Sequence, residues 1–157
     1  MEHTHILAKM AEGHERITEV LAGRNEAELE RPLRSDGWSA KDILAHIAMW
    51  YEFAAQRLRL IAAGRSAEIR WLNDAEVDAL NDAAYQRDRT LTTDDVRQRY
   101  EQSFEVVYGL AASLGAEVWN TTDFPVAISH WLPNCTFAHE EEHEVELRAG
   151  LSGKGRM

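Results

Sequence analysis

The chain has 157 residues, 45% hydrophobic and 28% charged, an ordinary composition for one globular domain. Its 27 acids outnumber its 17 lysines and arginines, for a formal charge of -10, so no nucleic-acid partner is expected. No apolar run approaches the roughly 18 residues of a membrane span, the N-terminal stretch does not read as a signal peptide, and the single Cys135 excludes an internal disulfide or a multi-cysteine metal cluster. A cytoplasmic location with no membrane partner is therefore expected.

Apolar spacing is helical from the start. Leu7, Met10, His14, Ile17 and Leu21 step by three and four, which predicts a first helix from about Thr4 to Ala22. Gly23 to Gly37, with Pro32, reads as a connection. The second helix carries the most signals. Ser39 can cap it, Asp42 three residues later completes a capping box, and Trp38 can pack on Ile43 as a hydrophobic staple. Its stripe runs through Ile43, His46, Ile47, Trp50, Phe53 and Leu58. Arg57 and Arg59 fall near the C-terminal end, where cations suit the helix dipole, and Gly64 is the stop.

Residues 65–92 are polar and acidic, with short helical turns expected around Ala75 to Tyr85. They read as a long crossover. Thr93-Asp94-Asp95 opens a third helix with the stripe Val96, Tyr100, Val107, Leu110 and Leu114, ended by Gly115. The aromatic stretch EVWNTTDFPVAISHWLPN reads as irregular, either a functional lid or a loop packed down by Trp119, Phe124 and Trp131. It holds a strand candidate at Phe124 to Ile128. A fourth helix runs from about Asn134 to Ala149, Gly150 ends it, and LSGKGRM (residues 151–157) reads as a flexible tail. The fold class is all-α: one four-helix-bundle domain over residues 1–150, with a long crossover between helices two and three.

Three histidines carry the chemistry. His46 lies three residues after Ile43 and four before Trp50, so it faces the core. His139 and His143 are four apart and share one face of the last helix. A single inward histidine is ordinarily a hydrogen-bonded core residue, and an exposed pair at that spacing is ordinarily decoration. Together they supply three ligands for a first-row metal ion. Three buried imidazoles without partners would cost roughly 1–3 kcal/mol each. If helices two and four are antiparallel neighbours, the levels agree. His46 then lies roughly 10 Å from one helix start and the pair roughly 9–15 Å from the other helix end.

His139-Glu140-Glu141-Glu142-His143 also fits H-E-x-x-H. The extended protease form is absent, because Ala149 stands six residues beyond His143. Glu140 and Glu142 are candidates for a base or for an acceptor behind a ligating histidine. His14 shares the apolar stripe of the first helix, as core or as a contact behind the metal. Cys135 lies one turn before His139, either as a metal neighbour or as a small buried hydrophobe. Trp50, Trp131 and His130 are candidates for the substrate pocket. Tyr51, Phe53, Tyr100, Phe104 and Tyr108 read as core, and His3 and His5 carry no assignment.

DGWSAKDILAHIAMW, residues 36–50, resembles the second-helix signature of the DinB superfamily: tryptophan, small polar cap, Lys-Asp, Leu-x-His and a following aromatic. NDAAYQRDRTLTTDDVRQRYEQSFEVVYGLAASL, residues 81–114, resembles the crossover and third helix of its ClbS/DfsB-like branch. The terminal His-x-x-x-His matches the position of the superfamily's last two ligands. The resemblance implies an up-down-down-up bundle. It also implies a triad of His46, His139 and His143 holding a divalent metal, Zn²⁺ first and Ni²⁺, Mn²⁺ or Fe²⁺ otherwise, with open positions. Members include bacillithiol- or mycothiol-dependent transferases and isomerases, and a cyclopropane hydrolase that disarms a genotoxin. Where the superfamily often has Gln three residues after the last ligand, this chain has Glu146.

The expected function is therefore a metal-dependent hydrolase or thiol transferase acting on a small electrophile, with a low-molecular-weight thiol as a further cofactor. The alternative is a non-catalytic bundle that sequesters a small genotoxin. A small-molecule partner is expected in both cases, and a homodimer is compatible with either.

Overall fold

A computed structural model describes residues 2–120 and 127–152. Its helices are α1 (His3–Leu21), α2 (Glu26–Glu30), α3 (Ala40–Ala62), α4 (Asp74–Asp88), α5 (Thr93–Ser113), α6 (Ala116–Trp119), α7 (Ile128–Cys135) and α8 (Phe137–Ser152), with a 3-10 turn at Ser66–Glu68. Among the described residues there is no strand. The proposed strand Phe124–Ile128 lies largely outside them, and its last residue, Ile128, begins α7.

The α3 start is built as expected. The Ser39 hydroxyl accepts from the Asp42 backbone N–H at 3.1 Å, and the Asp42 carboxylate accepts from the Ser39 N–H at 2.9 Å. Trp38, expected as a staple, stacks flat on Tyr85 at 4.7 Å and meets His46 edge-on. That contact joins the crossover to the helix bearing the first histidine.

Inter-helix contacts fix the directions. His14 of α1 meets Glu101 of α5 at 2.9 Å, while Arg97 donates to the Leu21 carbonyl at 3.4 Å. Residue numbers run in opposite senses, so α1 and α5 are antiparallel. Arg16 meets Glu144, and Arg24, just past α1, donates to the Leu151 carbonyl. Numbers rise together, so α1 and α8 are parallel. Lys41 donates to the Leu91 carbonyl at 2.7 Å and Arg99 to Glu52 at 2.6 Å, which makes α3 and α5 parallel. His46 and Trp50 of α3 both face α8, His46 reaching His143 and His139, Trp50 reaching only His139. That pair is antiparallel. The result is an up-down-down-up bundle, and the parallel α3–α5 pair is what obliges the chain to cross over.

Burial follows the helix period. Ile6, Ile17, Ile43, Ile47, Leu58, Val96, Val107 and Leu147 are fully enclosed. The buried α1 residues are Ile6, Met10, Gly13, Ile17, Val20 and Leu21, so Met10, Ile17 and Leu21 of the expected stripe face the core while Leu7 and His14 are only half-buried at its edge. His14 therefore sits at the seam with α5, flat on Phe104 at 4.0 Å, away from the other histidines.

The crossover is more ordered than its polarity suggests. Asn73 and Glu76 form a second capping box, which starts the 15-residue α4. This helix buries only Ala84 and Asp88, so it leaves little apolar period to read. Asp88 pins it down by pairing with Arg87 at 2.7 Å and Arg99 at 2.8 Å. Residues 128–133, expected in the irregular stretch, are helical in α7, and the fourth helix begins at Phe137 and not at about Asn134. Asn134 and Cys135 close α7, and Thr136, at φ -126° and ψ -112°, breaks the run before α8. Gly150 does not end α8. The helix continues to Ser152, and Leu151 is fully buried.

Candidate metal centre

The antiparallel contact of α3 and α8 brings three imidazoles together. Nε2 of His139 lies 3.0 Å from Nε2 of His46 and 3.0 Å from Nε2 of His143. One ligand atom from each of the three lies within 4.8 Å of the others. The two α8 histidines are one turn apart and meet ring to ring at 90°.

Protonation favours ligation. Burial first, and the neighbouring His143 second, push both His46 and His139 down to about 3. Both rings are therefore neutral at physiological pH, the state that binds metal. Nδ1 of His143 lies 2.8 Å from the Glu146 carboxylate. A carboxylate only accepts, so Nδ1 carries the proton and Nε2 presents its lone pair. Nδ1 of His46 and Nδ1 of His139 are buried without a partner.

Converging nitrogen lone pairs at 3.0 Å repel unless a proton or a cation lies between them. Two of the three spacings, those to His139, are close to the roughly 3.3 Å nitrogen–nitrogen edge of a tetrahedral zinc site with bonds of about 2.0–2.1 Å, and the third, His46 to His143, lies within 4.8 Å. The residues thus fit a divalent first-row ion, and three protein ligands leave positions open for another molecule.

The triad lies in a cavity of about 760 Å³. All three residues expected at a pocket line it: Trp50, Trp131 and His130. Trp131 is buried, Trp50 is half-buried and donates its indole N–H to Asn81 at 2.9 Å, and His130 is exposed at the rim. Cys135 lines it too, a buried thiol that burial pushes up to about 11.

The two glutamates part company. Glu142 is exposed on the cavity lining and makes no hydrogen bond to the triad. Glu140 is not brought to the site. It projects into the bundle interior, 1% exposed, where the Tyr100 hydroxyl donates to it at 3.1 Å. One helical residue separates it from His139, and that rotation of about 100° directs it inward.

Sequence reasoning missed Arg57, Trp71, Asp74 and Asn81, all on the lining. Arg57 had a signal. His46, Trp50, Phe53 and Arg57 are spaced four, three and four apart, so they share one stripe of α3. The place of Arg57 near the helix end suits a cation, but its side chain is buried. The crossover residues had none, because only the docking of α4 on α3 brings them to the histidines.

The sequence profile described as the mycothiol maleylpyruvate isomerase N-terminal domain matches residues 10–136. The match contains His46, Trp50 and Trp131 and stops short of His139 and His143. Comparison with curated proteins and with solved structures finds no match. Among the described residues no helix is long and apolar enough to cross a membrane. With most of its length matched and the bundle order of the wider group in place, this chain belongs to the mycothiol maleylpyruvate isomerase N-terminal domain family, within the DinB-like four-helix superfamily.

Proposed function

We propose that this protein is a metal-dependent enzyme that joins a low-molecular-weight thiol to a small electrophile in the cavity above His46, His139 and His143. The observation that carries the reading is the convergence of three imidazoles, with Nε2 of His139 at 3.0 Å from Nε2 of both His46 and His143, on the lining of a cavity of about 760 Å³. Membership of a family described by a mycothiol-using isomerase favours a thiol over water as nucleophile.

His46, His139 and His143 would hold the ion, Zn²⁺ by the preference of imidazole donors and Ni²⁺, Fe²⁺ or Mn²⁺ by the same geometry. Such an ion, when bound, supplies Lewis acidity that favours a thiolate over a thiol at neutral pH. Burial keeps His46 and His139 uncharged, so neither competes as a cation. Glu146 holds the His143 ring in one tautomer and orientation. Trp50 and Trp131 exclude water and offer flat apolar walls.

The test begins with elemental mass spectrometry on untagged protein beside His46→Ala. About one equivalent of metal in the parent and loss in the variant is the expected result. Electrophile consumption should then require both thiol and metal. A parent that neither carries nor takes up Zn²⁺, Ni²⁺ or Mn²⁺ refutes the site, and turnover without added thiol replaces transfer by hydrolysis.

A further inference from the structure

We infer that Arg57 is the carboxylate-recognition residue of this cavity, so that its ligand joins a carboxylate to a flat apolar body. The inference names the ligand class of the proposed active site and rests on that reading for the reacting end. The carboxylate subsite itself does not require the metal.

Arg57 is 9% exposed. A guanidinium this enclosed is ordinarily paired with a carboxylate. Among the described residues Arg57 has no ion pair. Its Nε is buried without a partner, and Nη2 donates only to the Arg70 carbonyl, at a long 3.5 Å. Asp74 and Glu142 lie on the same lining, but both are exposed and neither pairs with it.

Three aromatic rings surround the charge instead: Phe53 at 4.4 Å, Trp71 at 4.5 Å and Trp131 at 5.3 Å. Rings attract a cation through their faces but accept no conventional hydrogen bond from its fork. Two of them add to the excess of donors. The indole Nε1 of Trp71 and of Trp131 are both buried without a partner. Around Arg57 there are therefore three buried N–H donors and a positive charge, and among the described residues no acceptor meets those three N–H groups. A planar carboxylate is the complement of that set, because its two oxygens accept the guanidinium fork side by side.

The position also says how a ligand lies. His46 and Arg57 share one stripe of α3, eleven residues apart, a rise of about 16 Å along the axis. A ligand held by its carboxylate at Arg57 has its other end toward the histidines. The flat walls between them, Trp50, Trp71 and Trp131, suit an unsaturated or aromatic body.

Benzoate and its neutral isostere benzamide test this on chelator-treated protein, by calorimetry or by quenching of tryptophan fluorescence. The parent should bind benzoate roughly 10- to 100-fold more tightly than benzamide, the range of a charge-assisted hydrogen-bonded pair. Arg57→Met should retain helicity by circular dichroism and bind the two equally. If Arg57→Met does not fold, Arg57→Lys decides: it keeps the charge without the fork and should lose at least about threefold of the discrimination. A parent that binds both ligands equally, or neither, overturns the inference. So does discrimination that persists unchanged in either variant. Zinc content measured on the same proteins keeps the two readings apart. Discrimination without zinc uptake refutes the metal site alone, and zinc uptake without discrimination refutes the carboxylate subsite alone.

Discussion

Replacing Glu140 by glutamine tests whether the interior of the bundle is correctly understood. The carboxyl is 1% exposed, accepts one hydrogen bond from Tyr100 at 3.1 Å, and leaves Oε1 buried without a partner. Burial outweighs the flanking Tyr51 and Tyr100 hydroxyls and the charge of Arg16, and pushes the group up to about 7. In the unfolded chain it returns to the ordinary value of 4.5. Between those values the folded state binds the proton and the unfolded state does not, so stability falls as pH rises through that window. The full penalty above pH 7 is about 3 kcal/mol, from 1.36 kcal/mol per pKa unit. Glutamine has nearly the same shape and never ionises. Urea denaturation of parent and Glu140→Gln, both metal-free, at pH 5, 6, 7 and 8 isolates the effect, since other titrations largely cancel in the difference. The variant should gain on the parent by about 2 kcal/mol between pH 5 and pH 8, whatever the offset at pH 5. A difference that stays constant across that range would show that Glu140 ionises normally, and the account of its burial would fail.

Two further outcomes follow from other contacts. Glu146→Ala removes the acceptor at His143 Nδ1 and should weaken zinc binding roughly 10- to 100-fold in a chelator competition. Glu146→Gln, which keeps an acceptor, should lose less. Asp88→Ala removes the buried partner of Arg87 and Arg99 where α4 meets the bundle. It should cost about 1–2 kcal/mol in denaturant unfolding, because Arg87 is solvent-exposed and Arg99 keeps Glu52, and a loss below about 0.5 kcal/mol would mean that α4 is held by other contacts.

The long helices were legible because their signals are local. The Ser39–Asp42 box and the three-and-four stripes are properties of neighbouring residues, and they mark α1, α3 and α5 to within a few positions. The His139–His143 pair was legible for the same reason, and His46 faced inward by simple periodicity. Signals failed where an element lies on the surface. The 15-residue α4 buries two residues, so its hydrophobic pattern is nearly blank. They failed again where one residue decides direction: Glu140, adjacent to a site histidine, turns inward toward Tyr100, while Glu142 turns out to the rim.

By itself the sequence determined an all-α chain of long amphipathic helices, a histidine in the core face of one and a histidine pair on another. Tertiary structure alone decided that Nε2 atoms 93 residues apart stand 3.0 Å from each other. It also decided that Trp71 of the crossover and Trp131 of α7 close around Arg57, which pairs with no carboxylate among the described residues. Helical periodicity reports which residues share a face of one helix. Which faces meet, and what charge is left unpaired between them, is fixed only when the whole bundle packs.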